Sequence, residues 1–538
     1  MSTRFPGRRL SIIRLIGVFA VAACLVFAGF QGWNQIADSA SVSAKPWMAG
    51  YVDVTATPSL AFENPVSAAG DNVVLSFIVA DPTDACTPTW GTFYTMAAAE
   101  SDLDLDRRVA RRTQQGGEVI VSFGGAINQE LAVACTDPAA LEAAYASVIE
   151  RYRPSTIDLD LEGANLTDVD AGARRGVALA ALQKAAAASA APLAIWLTLP
   201  TTPTGLTEDG TNAVTQLLTA GVNLSGVNLM TMDFGSSRAA GQSMADAATN
   251  ALQSAHGQLS TLYRRVGQPL GSKALWNKLG ATAMIGQNDV PGEIFSLADA
   301  VELNDFALAN GVGRMSMWSL NRDASCGANY PDVKQVSDSC SGVEQGSVLF
   351  ADVLGASFTG SPAASAGISS TAQPSGVATA GTAAPGADTT DDPATSPYRI
   401  WSVTIAYPKG TRVVWHHNVY SAKYWTQGDL PDNPVLQASE TPWRLIGPVL
   451  AGETPVPTLT LPAGSFPDWS GTTIYTKGQR VLFDTGAFEA KWWTQGDSPD
   501  AAAENPDASP WVALTDAQLR VLLGLPAIPA DTDTDTAG

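Results

Sequence analysis

Histidine is scarce in this 538-residue chain, at 3, and so is cysteine, at 5. There is no CxxC pair and no cluster of histidines, so a structural zinc site lacks a ligand set. Basic residues are short as well. The 31 Lys and Arg against 52 Asp and Glu leave a formal net charge of −21. That argues against nucleic acid, which needs a basic face, and suits a soluble acidic protein with an uncharged or cationic partner. A comfortable membrane span is missing too. The apolar run over residues 15–30 follows Arg4, Arg8, Arg9 and Arg14 and precedes small residues through Ala44. It is shorter than the roughly 20 residues a span needs, and residues 1–44 read as an export signal. No cleavage site stands close behind the run, so an N-terminal membrane anchor is the alternative. Export would place the remaining cysteines where disulfides persist. Of the three connectivities that four cysteines allow, Cys86–Cys135 and Cys326–Cys340 is the expected one.

Apolar residues make up 45% of the chain, ample for a large core. Strand-like runs are 49-AGYVDV-54, 73-VVLSFIVA-80, 118-EVIVSF-123, 156-TIDLDLE-162, 193-LAIWLTL-199, 226-GVNLMTMD-233, 281-ATAMIG-286 and 314-RMSMWSL-320. Between them, stretches such as 139–152, 172–190 and 242–266 carry apolar residues at helical spacing. Strand and helix alternating eight times predict an α/β fold, a (β/α)8 TIM barrel over 45–355, with a doubly wound open sheet as the alternative. Residues 356–397 collapse into Ala, Gly, Ser, Thr and Pro and read as a disordered linker.

An internal repeat follows. Trp401, Tyr407, Arg412, Trp425, 426-TQGD-429 and Trp443 recur 68 residues later as Trp469, Tyr475, Arg480, Trp493, 494-TQGD-497 and Trp511. This predicts two small all-β modules, 398–447 and 468–514, joined by a linker over 448–467 and followed by a tail over 515–538. Modules this small have little interior for so many rings. In the adjacent pairs Tyr424-Trp425 and Trp492-Trp493, strand alternation puts the two rings of each pair on opposite faces, so at least one ring per module should lie outside. Flat exposed rings suit the apolar faces of sugars.

The stretch 155-STIDLDLEG-163 puts Asp158, Asp160 and Glu162 on one face of a strand and Ile157, Leu159 and Leu161 on the other. The plain reading is a half-buried strand whose charged face meets water. In a barrel the same face lines the lumen, with Glu162 nearest the mouth. Three stacked acids cannot all ionise cheaply, so at least one should hold a proton near neutral pH, as a general acid must.

This stretch resembles the DxxDxDxE signature of family 18 glycoside hydrolases, the chitinases. Ser122-Phe123-Gly124-Gly125, 227-VNLMTMDFG-235 and 315-MSMWSLNRD-323 resemble that family's third-, sixth- and eighth-strand motifs. The resemblance implies retaining hydrolysis of β-1,4-linked N-acetylglucosamine polymers, with the substrate's N-acetyl group as nucleophile. Glu162 would be the acid. Asp160 would orient the acetamide and share a proton with Asp158, Asp233 would hold the sugar, and Trp318 would stack beneath it. Two positions depart from the family. Ser155 stands where the first aspartate belongs, at a position supporting the proton network, and Met232 replaces a tyrosine. Trp90, Gln287, Asn288 and Arg322 follow strands two, seven and eight and are further candidate substrate contacts. The repeats, with 422-AKYWTQGD-429 and 490-AKWWTQGD-497, are similar to chitin-binding modules of families 5 and 12, which implies that Tyr424, Trp425, Trp492 and Trp493 touch sugar. The expectation is a secreted, monomeric chitinase acting on chitin or chito-oligosaccharides without metal or cofactor. A non-hydrolytic lectin and an endo-β-N-acetylglucosaminidase acting on N-glycans are the alternatives.

Overall fold

The computed structural model describes residues 45–327, 336–362, 390–433, 440–455, 461, 464–483, 486–499, 509–514, 518–519 and 522–523. It forms two compact units, 1–93 with 116–371 and 94–115 with 372–538. The expected signal or anchor over 1–44 lies outside the described residues, as do most of the linker and tail. Among the described residues no helix is long and apolar enough to cross a membrane.

In the first unit eight strands run parallel. They are Trp47–Met48 continued by Gly50–Asp53, then Val73–Ala80, Val119–Gly124, Thr156–Asp160, Ala194–Thr202, Leu224–Met230, Leu279–Met284 and Arg314–Trp318. Each pairs with the next, and the first closes the ring by pairing Trp47 with Arg314 and Gly50 with Val73. All eight sequence-predicted strands are present, and the open-sheet alternative falls on that closure. The expected helices appear as Pro138–Tyr152, Val169–Ala188 and Met244–Arg265. Their starts are local chemistry: Asp137, Asp168 and Ser243 each accept a backbone N–H of the first turn. Ile157, Leu159 and Leu161 are buried, so the fourth strand is covered on both faces, as parallel strands are.

Two boundaries move. The chain stays on the barrel past 355: Thr359 bridges Trp47, Gly360 N–H donates to Pro46 O at 2.8 Å, and Thr156 Oγ1 donates to Pro362 O at 3.3 Å. At the linker's other end, Asp391 accepts the backbone N–H groups of His416 and His417 at 2.8 and 2.7 Å, which ties it to the first module. Both expected disulfides, Cys86–Cys135 and Cys326–Cys340, are formed.

The second unit contains the helices Met96–Leu103 and Leu105–Gln114 and two small antiparallel modules. Arg412–Trp415, Asn418–Ala422 and Trp443–Pro448 form one three-stranded sheet; Arg480–Phe483, Gly486–Ala490 and Trp511–Ala513 form the other. The repeat extends to hydrogen bonds. Trp443 Nε1 donates to Asp429 O at 2.9 Å and Trp511 Nε1 to Asp497 O at 2.8 Å. Thr426 and Thr494 bond the same two aspartates, so the TQGD string builds the turn that anchors the core tryptophan.

Candidate active site

The two lower acids of the row, Asp158 and Asp160, are buried. Asp158 is 0% and Asp160 4% exposed, which removes the plain reading of a wet charged face. Asp158 sits in a ring of donors drawn from four other strands. Its Oδ2 accepts from Tyr51 Oη at 2.9 Å and Ser122 Oγ at 2.7 Å; its Oδ1 accepts from Thr198 Oγ1 at 2.7 Å and Arg314 Nη1 at 2.6 Å. Burial, and then Asp158, push the Tyr51 phenol well above its usual range, so it keeps the proton it donates. Asn228 Nδ2 donates to Thr198 Oγ1 at 3.0 Å and to Thr282 Oγ1 at 2.6 Å, extending this polar layer around the lumen.

Above it, Asp160 Oδ1 is buried without a hydrogen-bond partner in the structure. Burial, then the charges of Glu162 and Asp158, push its carboxyl well above the usual range, with Arg314 opposing. Glu162 is partly exposed at the strand's end. Burial, then Asp233 and Asp289, raise its pKa to about 7. A carboxylic acid half-protonated near neutral pH can donate a proton and recover it. Asp233 is also raised, chiefly by burial, while Val290 N–H donates to it at 2.9 Å.

The third strand brings its backbone against the acids. Gly124, at φ +107°, and Gly125, at φ +89°, follow Ser122-Phe123. A Cβ on Gly124 would lie 2.0 Å from Asp160 O, and one on Gly125 would lie 2.7 Å from the Phe77 ring. Phe77 in turn stacks on Trp318, with centroids 5.6 Å apart and planes 16° from parallel, and Tyr51 lies 6.0 Å from Trp318. The result is an aromatic wall beside the acid row.

The structure thus brings Asp158, Asp160, Glu162, Asp233 and Trp318 together. Others fall elsewhere. Trp90 is fully buried and donates through Nε1 to Tyr152 Oη at 3.0 Å, a core role rather than a substrate contact. Arg322 is buried too, donating to Gln287 O at 2.6 Å and Ser337 O at 2.8 Å, so it ties loops together. Asn288 Oδ1 accepts from Asp233 N–H at 3.3 Å while its Nδ2 donates to Met284 O at 2.8 Å; it places Asp233. Gln287 and Met232 are buried. Ser155 Oγ donates to Glu118 at 3.1 Å, apart from the Asp158 donors, and so does not support the proton network. His256 stacks on Trp276 with centroids 4.5 Å apart, outside the site.

Sequence reading missed Arg314, Tyr51, Thr198, Phe77 and Asp289. For Arg314 a signal existed. It shares the parity of Ser316 and Trp318, so if Trp318 faces the lumen, Arg314 does as well.

In the modules Tyr424 is 51%, Trp425 37%, Trp492 45% and Trp493 59% exposed, while Trp443 and Trp511 are core. Both rings of each pair are exposed, which meets the expectation of at least one outside per module. The pairs lie after the strands that end at Ala422 and Ala490, so strand alternation does not apply to them.

No family model matches the chain. Over 316 residues it is 34% identical to the probable bifunctional chitinase/lysozyme of Escherichia coli (strain K12), covering 56% of this chain and 34% of that one. Over 310 residues it is 33% identical to endochitinase 11 of Metarhizium anisopliae, covering 55% and 56%. This part of the chain is similar to chitinases. The chain spans only 34% and 56% of the length of these relatives. Among solved structures, the catalytic domain of a hyperthermophilic chitinase from Pyrococcus furiosus matches at 26% identity and a TM-score of 0.49, covering 58% of this chain and 96% of that one.

Proposed function

We propose that the protein is an exported chitinase of the family 18 type, cleaving β-1,4-linked N-acetylglucosamine polymers with retention of configuration. The observation that carries this is Glu162, poised near pH 7, directly above a buried Asp160 whose Oδ1 has no partner. A glycosidic oxygen is a poor leaving group until protonated, and Glu162 supplies that proton. Asp160 Oδ1 accepts the acetamide N–H of the bound sugar, turning its carbonyl oxygen toward the anomeric carbon. As the glycosidic bond breaks, that oxygen bonds the carbon to give an oxazolinium ion. Glu162, now ionised, then takes a proton from the water that opens the ion, restoring enzyme and acetamide. This is the substrate-assisted exception to the scheme of two catalytic carboxylates. Trp318 and Phe77 offer the apolar surface a sugar face needs, and Asp233 faces Glu162 from the sixth-strand end.

The two repeated modules act as chitin-binding modules through Tyr424, Trp425, Trp492 and Trp493. Two on one chain raise avidity for an insoluble polymer by effective concentration. The lectin reading rested on Ser155 and Met232, and Ser155 lies off the network of acids. Release of N-acetylglucosamine oligomers from colloidal chitin, with the first product retaining its anomeric configuration, tests the proposal. Release from an N-glycoprotein and none from chitin would overturn the choice of substrate; no release from either would overturn the enzyme.

A further inference from the structure

In the second unit the helix Leu105–Gln114 packs against the strand Trp443–Pro448 of the first module. Two arginines, one from each side, reach across. Arg107 of the helix, 5% exposed, donates through Nη1 to Pro448 O at 2.5 Å and to Glu453 at 3.1 Å, and its Nη2 pairs with the same carboxylate. Arg412 of the module pairs with Asp104 at 2.8 Å and donates to Ser101 O at 3.3 Å. Between the two clamps the backbones nearly touch. A Cβ on Gly447 would lie 2.7 Å from Arg107 O and 3.2 Å from Arg111 Cβ, so glycine here answers to the close approach of the helix.

The second module is an internal control, because the same repeat built it. In both modules the arginine stands opposite the same position of the neighbouring strand: Arg412 faces Ser421, and Arg480 faces Glu489. Arg480 pairs with that glutamate at 2.8 Å, inside its own module. Serine in the first module offers Arg412 no such charge, and the arginine turns to Asp104 instead. The position 68 residues after Gly447 is Thr515, whose branched side chain could not take that approach. The sheet faces differ in the same sense. Val414, Val419 and Ile446, on the face opposite the module's core, are fully buried beside Tyr398 and Val449. Their counterparts Leu482 and Leu514 are half-buried.

We propose that the first module is a docked module, with the outer face of its sheet around Gly447 and Arg412 built to hold the helix pair Met96–Leu103 and Leu105–Gln114. The second module lacks that face. Three substitutions within one repeat, Ser421 for glutamate, Gly447 for threonine and Val414 for leucine, separate the two. Docking leaves Tyr424 and Trp425 51% and 37% exposed, so the first module presents its rings from a fixed place on the helix pair. Copies of one repeat thus serve two ends, one a fixed sugar-binding surface and the other an anchor.

Hydrogen exchange on the full chain tests this, each variant being read on the surface it does not alter. Gly447→Thr, which installs the second repeat's residue, is expected to speed amide exchange in 96–114 by about 10-fold or more, the scale of an overpacked contact. Arg107→Met keeps the stem and removes the charge, and is expected to do the same in 443–455. Arg480→Met, which breaks the pair inside the second module, is expected to move neither segment. Unchanged exchange in 96–114 for Gly447→Thr, or an equal rise there for Arg480→Met, overturns the proposal. Should Gly447→Thr unfold the module, seen as lost protection in 412–422, Arg107→Met decides alone: faster exchange in 443–455 supports docking, and the wild-type rate overturns it. The readout is independent of sugar. Failure of the wild type to bind insoluble chitin would overturn the sugar-binding reading of the modules separately.

Discussion

Gly124→Ala puts a methyl group where the third strand touches the acid row. The residue sits at φ +107°, where a side chain costs about 1–2 kcal/mol. Its Cβ would stand 2.0 Å from Asp160 O and 3.1 Å from the carbonyl carbon, so the third and fourth strands must part by about 1 Å to restore van der Waals contact. That displacement stretches the bond from Gly125 N–H to Asp160 O, now 2.9 Å, forfeiting about 1 kcal/mol. The expected loss of stability is about 3 kcal/mol in all, by urea denaturation. Because the carbonyl that moves belongs to Asp160, turnover should fall about 100-fold, the scale of a 1 Å misplacement. Gly116→Ala is the control. Its φ is +84° and nothing lies within 4 Å of its added Cβ, so it carries the backbone cost of about 1–2 kcal/mol alone and leaves turnover intact. Equal stability losses and equal turnover in the two variants would refute the close-approach argument.

Other outcomes follow from the same geometry. Glu162 has its folded pKa raised to about 7 from roughly 4.3 unfolded, so the native state binds the proton more tightly and stability falls as pH rises between those values. Glu162→Gln should therefore be more stable than wild type at pH 8, by at most about 4 kcal/mol and less as solvent screens the partly exposed carboxyl, and equal to it at pH 4; equal Tm at both pH values would contradict the buried-acid account. Removing Cys86–Cys135, which spans 49 residues, should cost about 4 kcal/mol, and removing Cys326–Cys340, which spans 14, about 3 kcal/mol by loop-closure entropy, read as Tm of the double-alanine variants. Trp492→Ala and Trp493→Ala should weaken retention on insoluble chitin while leaving Tm unchanged. Trp511→Ala, fully buried, should cost about 3–5 kcal/mol.

The eight barrel strands were legible because each is an apolar or β-branched run set off from the next by a stretch of helical spacing; the Asp and Ser caps that set the helix starts were not read. The acid row was legible from parity alone. What escaped was the lumen's other half. Tyr51, Thr198 and Arg314 each stand between apolar or glycine neighbours, and they meet Asp158 only when the barrel closes, 107, 40 and 156 residues away in sequence. Trp90 misled because a tryptophan after a strand looks like a subsite ring. The antiparallel strand Pro88–Trp90 instead folds it back on Val73–Ala80 and into the core. The modules' paired rings are exposed as expected, at least one per module, but for another reason. The argument from alternation assumed a strand, and the chain has already left the sheet when it reaches them.

The most direct test of the central claim is hydrolysis of chito-oligomers by wild type and Glu162→Gln, with binding to insoluble chitin recorded on the same samples. The account predicts that the substitution abolishes hydrolysis and leaves binding unchanged, because the acid sits in the barrel and the exposed rings sit in the modules. Hydrolysis surviving in Glu162→Gln would contradict it.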